Sequence, residues 1–87
     1  MLRTRSYTYQ MSGTEYTGQW LGGLRHGWGR ARFRDGSVYE GDWFLGYAHG
    51  HGKLVEKSGA SYDGTWKYNI RRGIGKSVMR NGSTYNG

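Results

Sequence analysis

A fixed internal period constrains this chain more than any other feature. Tyr16, Tyr39, Tyr62 and Tyr85 are each 23 residues apart (39−16, 62−39, 85−62). Gly18, Gly41, Gly64 and Gly87 follow the same step, as do Trp20, Trp43 and Trp66. Gly27, Gly50 and Gly73 form another column, Gly29, Gly52 and Gly75 another, and Gly13, Gly36, Gly59 and Gly82 another. Of the 17 glycines only Gly22 lies outside such a column, once Gly23 is paired with Gly46. In that last column the third repeat carries Asn69, and Asn is the residue that best replaces Gly at positive φ. A period of this length implies a quasi-one-dimensional repeat protein in which each unit packs on its neighbours.

Composition agrees. A chain of 87 residues usually makes one small domain, and with only 34% apolar residues but 16% aromatic ones a thick core is excluded. Without cysteine no disulfide can brace it, which fits a reducing compartment. Apolar runs are too short for a membrane-spanning helix. The start, "MLRTRSYTYQ", lacks the apolar stretch of a signal peptide.

Within a repeat the side chains alternate. Tyr39, Gly41 and Trp43 share one face of a strand, and in Gly27–Phe33 the odd positions are small or apolar while the even ones are largely basic. A three-residue loop at Arg34-Asp35-Gly36, with Gly in the left-handed region, predicts a bulged hairpin. Its register sets Ala31 opposite Tyr39, Gly29 opposite Gly41, Gly27 opposite Trp43 and Arg30 opposite Glu40. A two-residue loop would put Arg30 and Arg32 on the aromatic face instead. For the other connection, a four-residue loop from Gly22 to Arg25 is expected. It would place each Gly27-type glycine between two tryptophans, with room for the indoles to lie flat. On this reading Tyr16, Trp20, Tyr39, Trp43, Tyr62 and Trp66 are core, not a ligand cage.

"YEGDWFLGYAHGHGKL" (Tyr39 to Leu54) and "YTGQWLGGLRHGWGRARF" (Tyr16 to Phe33) resemble the membrane occupation and recognition nexus, or MORN, repeat: Tyr-x-Gly-x-Trp, a Gly-containing turn, then His-Gly-x-Gly. "YDGTWKYNIRRGIGK" is similar, with Arg72 where the His would stand. The resemblance spans residues 16–87 and implies an all-β fold, an elongated single-layer antiparallel sheet of repeated hairpins. The units are then 16–38, 39–61 and 62–84, preceded by an arm and degenerate half repeat (1–15) and followed by the start of a fourth unit (85–87). The resemblance also implies a scaffold or adaptor that binds partner proteins, commonly in cytoskeletal or ciliary structures, with some members linked to phosphoinositides. The proline frequent before the Asp-Gly turn is replaced here by Arg34, Lys57 and Arg80.

Those residues raise the question of charge, which is +7 overall. Arg30, Lys53 and Lys76 make one basic column; Arg34, Lys57 and Arg80 make a second at the turns. Strand spacing sets column neighbours about 10 Å apart, a ladder suited to anionic phospholipid or an acidic protein surface. Arg30–Glu40 and Lys53–Asp63 are expected as local ion pairs, so the turn column is the better binding candidate.

Other functions find little support. His49 and His51 share a strand face but have no further ligands for a metal. His26 and His49 occupy one column, which suggests a structural hydrogen bond. No nucleophile stands beside a base, so an enzyme is not expected, and no cofactor is. Nucleic acid is disfavoured because the aromatics face away from most basic side chains. Three binding surfaces are expected: a concave aromatic face, the basic columns, and the sheet ends. At those ends Thr84, Tyr85 and Asn86 could pair with another chain or a second copy. The expected location is the cytoplasm, with the cytoskeleton or a cilium.

Overall fold

Alternation of apolar and polar residues around short polar turns gives strands, and short turns keep successive strands adjacent. A computed structural model of the chain describes residues 2–86, and Gly87 of the second glycine column lies outside them. Eight strands follow in order: β1 (Leu2–Thr8), β2 (Glu15–Leu21), β3 (Leu24–Arg32), β4 (Val38–Phe44), β5 (Tyr47–Val55), β6 (Ser61–Lys67), β7 (Ile70–Val78) and β8 (Thr84–Asn86). Each pairs antiparallel with its sequence neighbour in one open sheet, with no helix among the described residues. The body measures 39 × 25 × 16 Å, elongated as a one-layer sheet must be.

The register between β3 and β4 is the one the hydrophobic pattern demands: Gly27 opposite Trp43, Gly29 opposite Gly41, Arg30 opposite Glu40, Ala31 opposite Tyr39. Phe33 N–H donates to Ser37 O at 2.8 Å and Gly36 N–H to Phe33 O at 3.0 Å, with Gly36 at φ +95°. This is the three-residue loop with left-handed glycine. The β1–β2 connection is longer by one residue, closed by Tyr9 N–H to Thr14 O at 2.7 Å. Tyr7, not Thr8, therefore stands opposite Tyr16.

The second connection differs from the expected four-residue loop. Leu21 pairs with Leu24 and Trp20 with Arg25, leaving a two-residue turn at Gly22-Gly23. The excess length enters a bulge: pairing passes from Gly41↔Gly52 directly to Trp43↔Ala48, so Asp42 alone faces His49, Gly50 and His51. Gly27, Gly50 and Gly73 sit in these bulges at φ +91°, +102° and +75°, conformations that L side chains rarely adopt. Polar side chains opposite satisfy the displaced backbone. Gln19 Oε1 accepts from Trp28 N–H at 2.8 Å, Asp42 Oδ2 from His51 N–H at 3.2 Å, and Thr65 Oγ1 donates to Arg72 O.

At the two-residue turns the left-handed column is Gly22, Leu45 and Tyr68 (φ +60°, +46°, +48°). The following residue is left-handed at Gly46 (+94°) and Asn69 (+69°), but not at Gly23. The substitution of Asn69 for Gly thus carries the expected geometry, which Gly23, its counterpart in the first repeat, does not adopt. Two consecutive positive φ values match the twist of a hairpin, which explains why bulky Leu45 and Tyr68 are held there. The turns also stitch repeats together: Gly46 N–H donates to Arg25 O at 2.7 Å, and Asn69 N–H to Ala48 O at 2.9 Å.

The core is one face of the sheet. Tyr16, Trp20, Ala31, Tyr39, Trp43, Ala48, Tyr62 and Trp66 are buried, with Tyr9, Phe33 and Leu54 packed against them. Glycines make this possible in a way that differs from expectation. The indoles are not accommodated by Gly27; a Cβ there would strike the side chain of Gln19. The room lies along Gly18, Gly29, Gly41, Gly52, Gly64 and Gly75, which pair successively across β2–β7. A Cβ at Gly29, Gly52 or Gly75 would overlap the phenol ring of Tyr16, Tyr39 or Tyr62.

Candidate functional site

On the aromatic face, rings zigzag from repeat to repeat: Trp20–Tyr16–Trp43–Tyr39–Trp66–Tyr62, with centroids 4.9–5.4 Å apart and planes close to perpendicular. Edge-to-face contacts of this kind suit the ring quadrupoles. Every polar tip is satisfied internally. Tyr16, Tyr39 and Tyr62 hydroxyls donate to the carbonyls of Gln19, Asp42 and Thr65 at 2.7, 2.9 and 3.2 Å. Indole N–H groups of Trp20, Trp43 and Trp66 donate to Arg5, Gly29 and Gly52 carbonyls at 3.0, 3.1 and 2.9 Å. Burial pushes the Tyr16 phenol up to about 12, with the Arg25 guanidinium opposing the shift. It raises that of Tyr39 too, where the Asp42 carboxylate adds to the effect. This is the chemistry of a structural core.

Three arginines lie over these rings, exceptions to the expected placement of most basic side chains on the opposite face. Arg5 Cζ is 4.8 Å from the Trp20 ring centre. Arg25 is 4.7 Å from Trp43 and 5.4 Å from Tyr9, and Arg71 is 5.1 Å from Tyr62 and 5.9 Å from Trp66. Arg25 and Arg71 belong to one column, whose middle member is Ala48. That sequence signal was available: the bulge restores each to the face of Trp20 and Trp66, its cross-strand partners. A straight ladder conceals it.

Where Ala48 replaces arginine the face has a hollow of about 300 Å³. Trp43, Tyr39, Leu54 and Trp66 form its apolar lining, and Arg25 and Asn69 its polar rim. Asn69 Oδ1 accepts from Ala48 N–H at 2.7 Å, and one Arg25 Nη donates to Gly46 O at 2.9 Å, so both rim groups are held in place. The volume lies at the lower end of the range for ligand pockets.

The basic columns are on other surfaces. Arg30 pairs with Glu40 at 3.8 Å, both half-exposed. The Lys53–Asp63 pair does not form. His51 Nε2, two residues along β5 from Lys53, approaches Asp63 at 2.9 Å in its place, although Lys53 is opposite Asp63 in register. Lys76 is exposed on the same face. In the turn column Arg34 and Lys57 lie across the preceding turn, so that a Cβ at Gly13 or Gly36 would meet their stems at 3.4 and 3.3 Å. Arg80 is exposed. None of Arg34, Lys57 or Arg80 forms a salt bridge among the described residues. Asp35, whose carboxyl is held below its ordinary range chiefly by the Ser37 hydroxyl, feels the Lys57 charge weakly.

His26 Nδ1 accepts from Leu45 N–H at 3.1 Å, the structural hydrogen bond its column suggests, whereas Nδ1 of His49 in the same column is buried without a partner. His49 packs against Phe44 and Tyr68. Among the described residues no three His, Cys, Asp or Glu side chains gather to hold a metal. Thr84, Tyr85 and Asn86 form β8, pairing with Val78, Ser77 and Lys76 of β7; all three are exposed.

The family model for the MORN repeat matches residues 16–38, 39–60 and 62–84. The chain belongs to the MORN-repeat family, a class of repeat modules that mediate protein and membrane interactions. A search of curated proteins found no match.

Proposed function

We propose that this chain is a non-catalytic adaptor that docks partner proteins on its aromatic face, as part of a cytoskeletal or ciliary assembly in the cytoplasm. The observation that carries the docking role is the hollow beside Ala48, an apolar depression on a face whose own hydrogen bonds are already satisfied. Apolar surface that the fold does not itself cover is commonly covered by a partner. The assembly and location rest on the family resemblance alone. The test is co-purification from the native source. Partner proteins should remain with the Arg34→Ser/Lys57→Ser/Arg80→Ser variant and be lost from Arg25→Ser/Arg71→Ser. The reverse pattern contradicts the reading.

A second reading is favoured by the turn column. Arg34, Lys57 and Arg80 are exposed cations along one edge, and could bind anionic phospholipid headgroups. Flotation with phosphatidylserine vesicles tests it: the triple serine variant should bind less, with a weaker salt dependence. Equal flotation of both proteins removes this reading.

A further inference from the structure

We infer that the hollow beside Ala48 receives one large apolar side chain from an acidic segment of a partner protein, whose carboxylates meet Arg25. This rests on the docking role proposed for the aromatic face and specifies the chemistry of what docks there.

The repeat supplies its own comparison. In the first and third units the column residue is an arginine laid over the aromatic rings, Arg25 on Trp43 of the next unit and Arg71 on Tyr62 and Trp66 of its own. In the second unit the same backbone position, opposite Trp43, carries Ala48. The removed stem and guanidinium leave a depression floored by Trp43, Leu54 and Trp66. An aromatic or long aliphatic side chain matches it in size and polarity, and edge-to-face contact with an indole favours an aromatic one.

Charge decides what surrounds that anchor. No Asp or Glu lines the hollow, so a partner lysine or arginine placed there would be a desolvated cation beside Arg25 with no counter-ion. The acidic side chains Glu40, Asp42 and Asp63 alternate to the opposite face of their strands. On the aromatic face the charges nearest the rings are the guanidiniums of Arg5, Arg25 and Arg71. Arg25 is fixed by its bond to Gly46 O and by Trp43 and Tyr9, yet a guanidinium carries five N–H donors, and that bond takes one. A carboxylate adjacent to the anchor can take two of the others in a bidentate pair. Net charge of +7 steers an acidic segment toward the molecule as a whole.

The experiment uses fluorescein-labelled peptides and fluorescence anisotropy. The probe is a glutamate-serine peptide with one central tryptophan. One control replaces that tryptophan by serine, and the other replaces the glutamates by lysine. The tryptophan probe should bind at least about tenfold tighter than its serine control, and the lysine peptide should not bind. In Ala48→Met the hollow is filled and the tryptophan advantage should vanish. Ala48→Arg restores the residue of the flanking repeats, so its fold is compatible with the column, and it should abolish the advantage as well. Arg25→Gln should weaken the tryptophan probe several-fold and flatten its salt dependence. Retention of the tryptophan advantage in both Ala48 variants overturns the inference, as does equal binding of the lysine peptide or absence of binding by every probe. In those cases the co-purification result for Arg25→Ser/Arg71→Ser decides separately whether the aromatic face docks proteins at all.

Discussion

The guanidinium of Arg25 lies 4.7 Å from the centre of the Trp43 indole, and the residue that repeats Arg25 one unit later is Ala48. A repeat fold makes such a difference informative. The backbone, the bulge and the aromatic floor recur, so one altered side chain leaves one altered place on an otherwise regular face.

Loss of a core indole should cost far more than loss of a surface one. Trp43 is 5% exposed and touches rings of two repeats, whereas Trp28 is 51% exposed. Trp43→Ala should destabilise by about 3–5 kcal/mol, enough to unfold a marginal domain. Trp28→Ala should cost under about 1 kcal/mol. Urea denaturation followed by circular dichroism measures both, and similar midpoints would contradict the packing described.

The glycine row should tolerate no methyl group. In Gly52→Ala the new Cβ would overlap the Tyr39 ring, which is itself anchored through its hydroxyl to Asp42 O. The expected loss is about 1–3 kcal/mol or more. The bulge glycine Gly50 is different: Gly50→Val fails because φ is +102° and Asp42 stands 3.0 Å from the Cβ position. Thermal midpoints of the two variants check both mechanisms.

Much of this was legible in the sequence, and the failures share one cause. Columns of Tyr, Gly and Trp fix the period, and the parity of "RDG" fixes the register of Ala31 on Tyr39 and Gly29 on Gly41. The bulge was not legible, because a two-residue turn with a bulge and a four-residue loop both leave Gly18 opposite Gly29 and Gly41 opposite Gly52. Their difference is Arg25 and Arg71, which the bulge turns onto the aromatic rings. The hollow at Ala48 is visible only once that is known. Side-chain choices among exposed neighbours, such as Asp63 taking His51 over Lys53, depend on rotamers that no column records.

Turn strain offers a stabilising change. Leu45 is 40% exposed at φ +46°, immediately before Gly46 at +94°. Asn-Gly is the preferred pair for two left-handed positions in a hairpin. Leu45→Asn should therefore raise stability by roughly 0.5–1 kcal/mol. A lower urea midpoint would mean that Leu45 supplies packing that outweighs its backbone strain.

Alkaline pH should unfold the chain through its buried phenols. Tyr16 ionises near 10 when unfolded but near 12 when folded. The folded state thus holds the phenolic proton more tightly. The stability this represents is fully present below pH 10 and is lost as pH rises from 10 through 12. Tyr39, shifted in the same direction, adds to the loss. Stability against urea, measured across that window, should fall more steeply in the native chain than in Tyr16→Phe.

Indole N–H resonances test the central claim most directly, because the four tryptophans divide between core and surface. The N–H groups of Trp20, Trp43 and Trp66 are hydrogen-bonded within the aromatic face, while Trp28 projects from the sheet half-exposed. In the free protein the first three should exchange slowly with deuterium and Trp28 rapidly. When the co-purified native partner is added, the Trp43 and Trp66 signals, which flank the hollow at Ala48, should shift while Trp28 stays in place. A shift of Trp28 alone, with Trp43 and Trp66 unmoved, would place the partner on the opposite face and contradict the account.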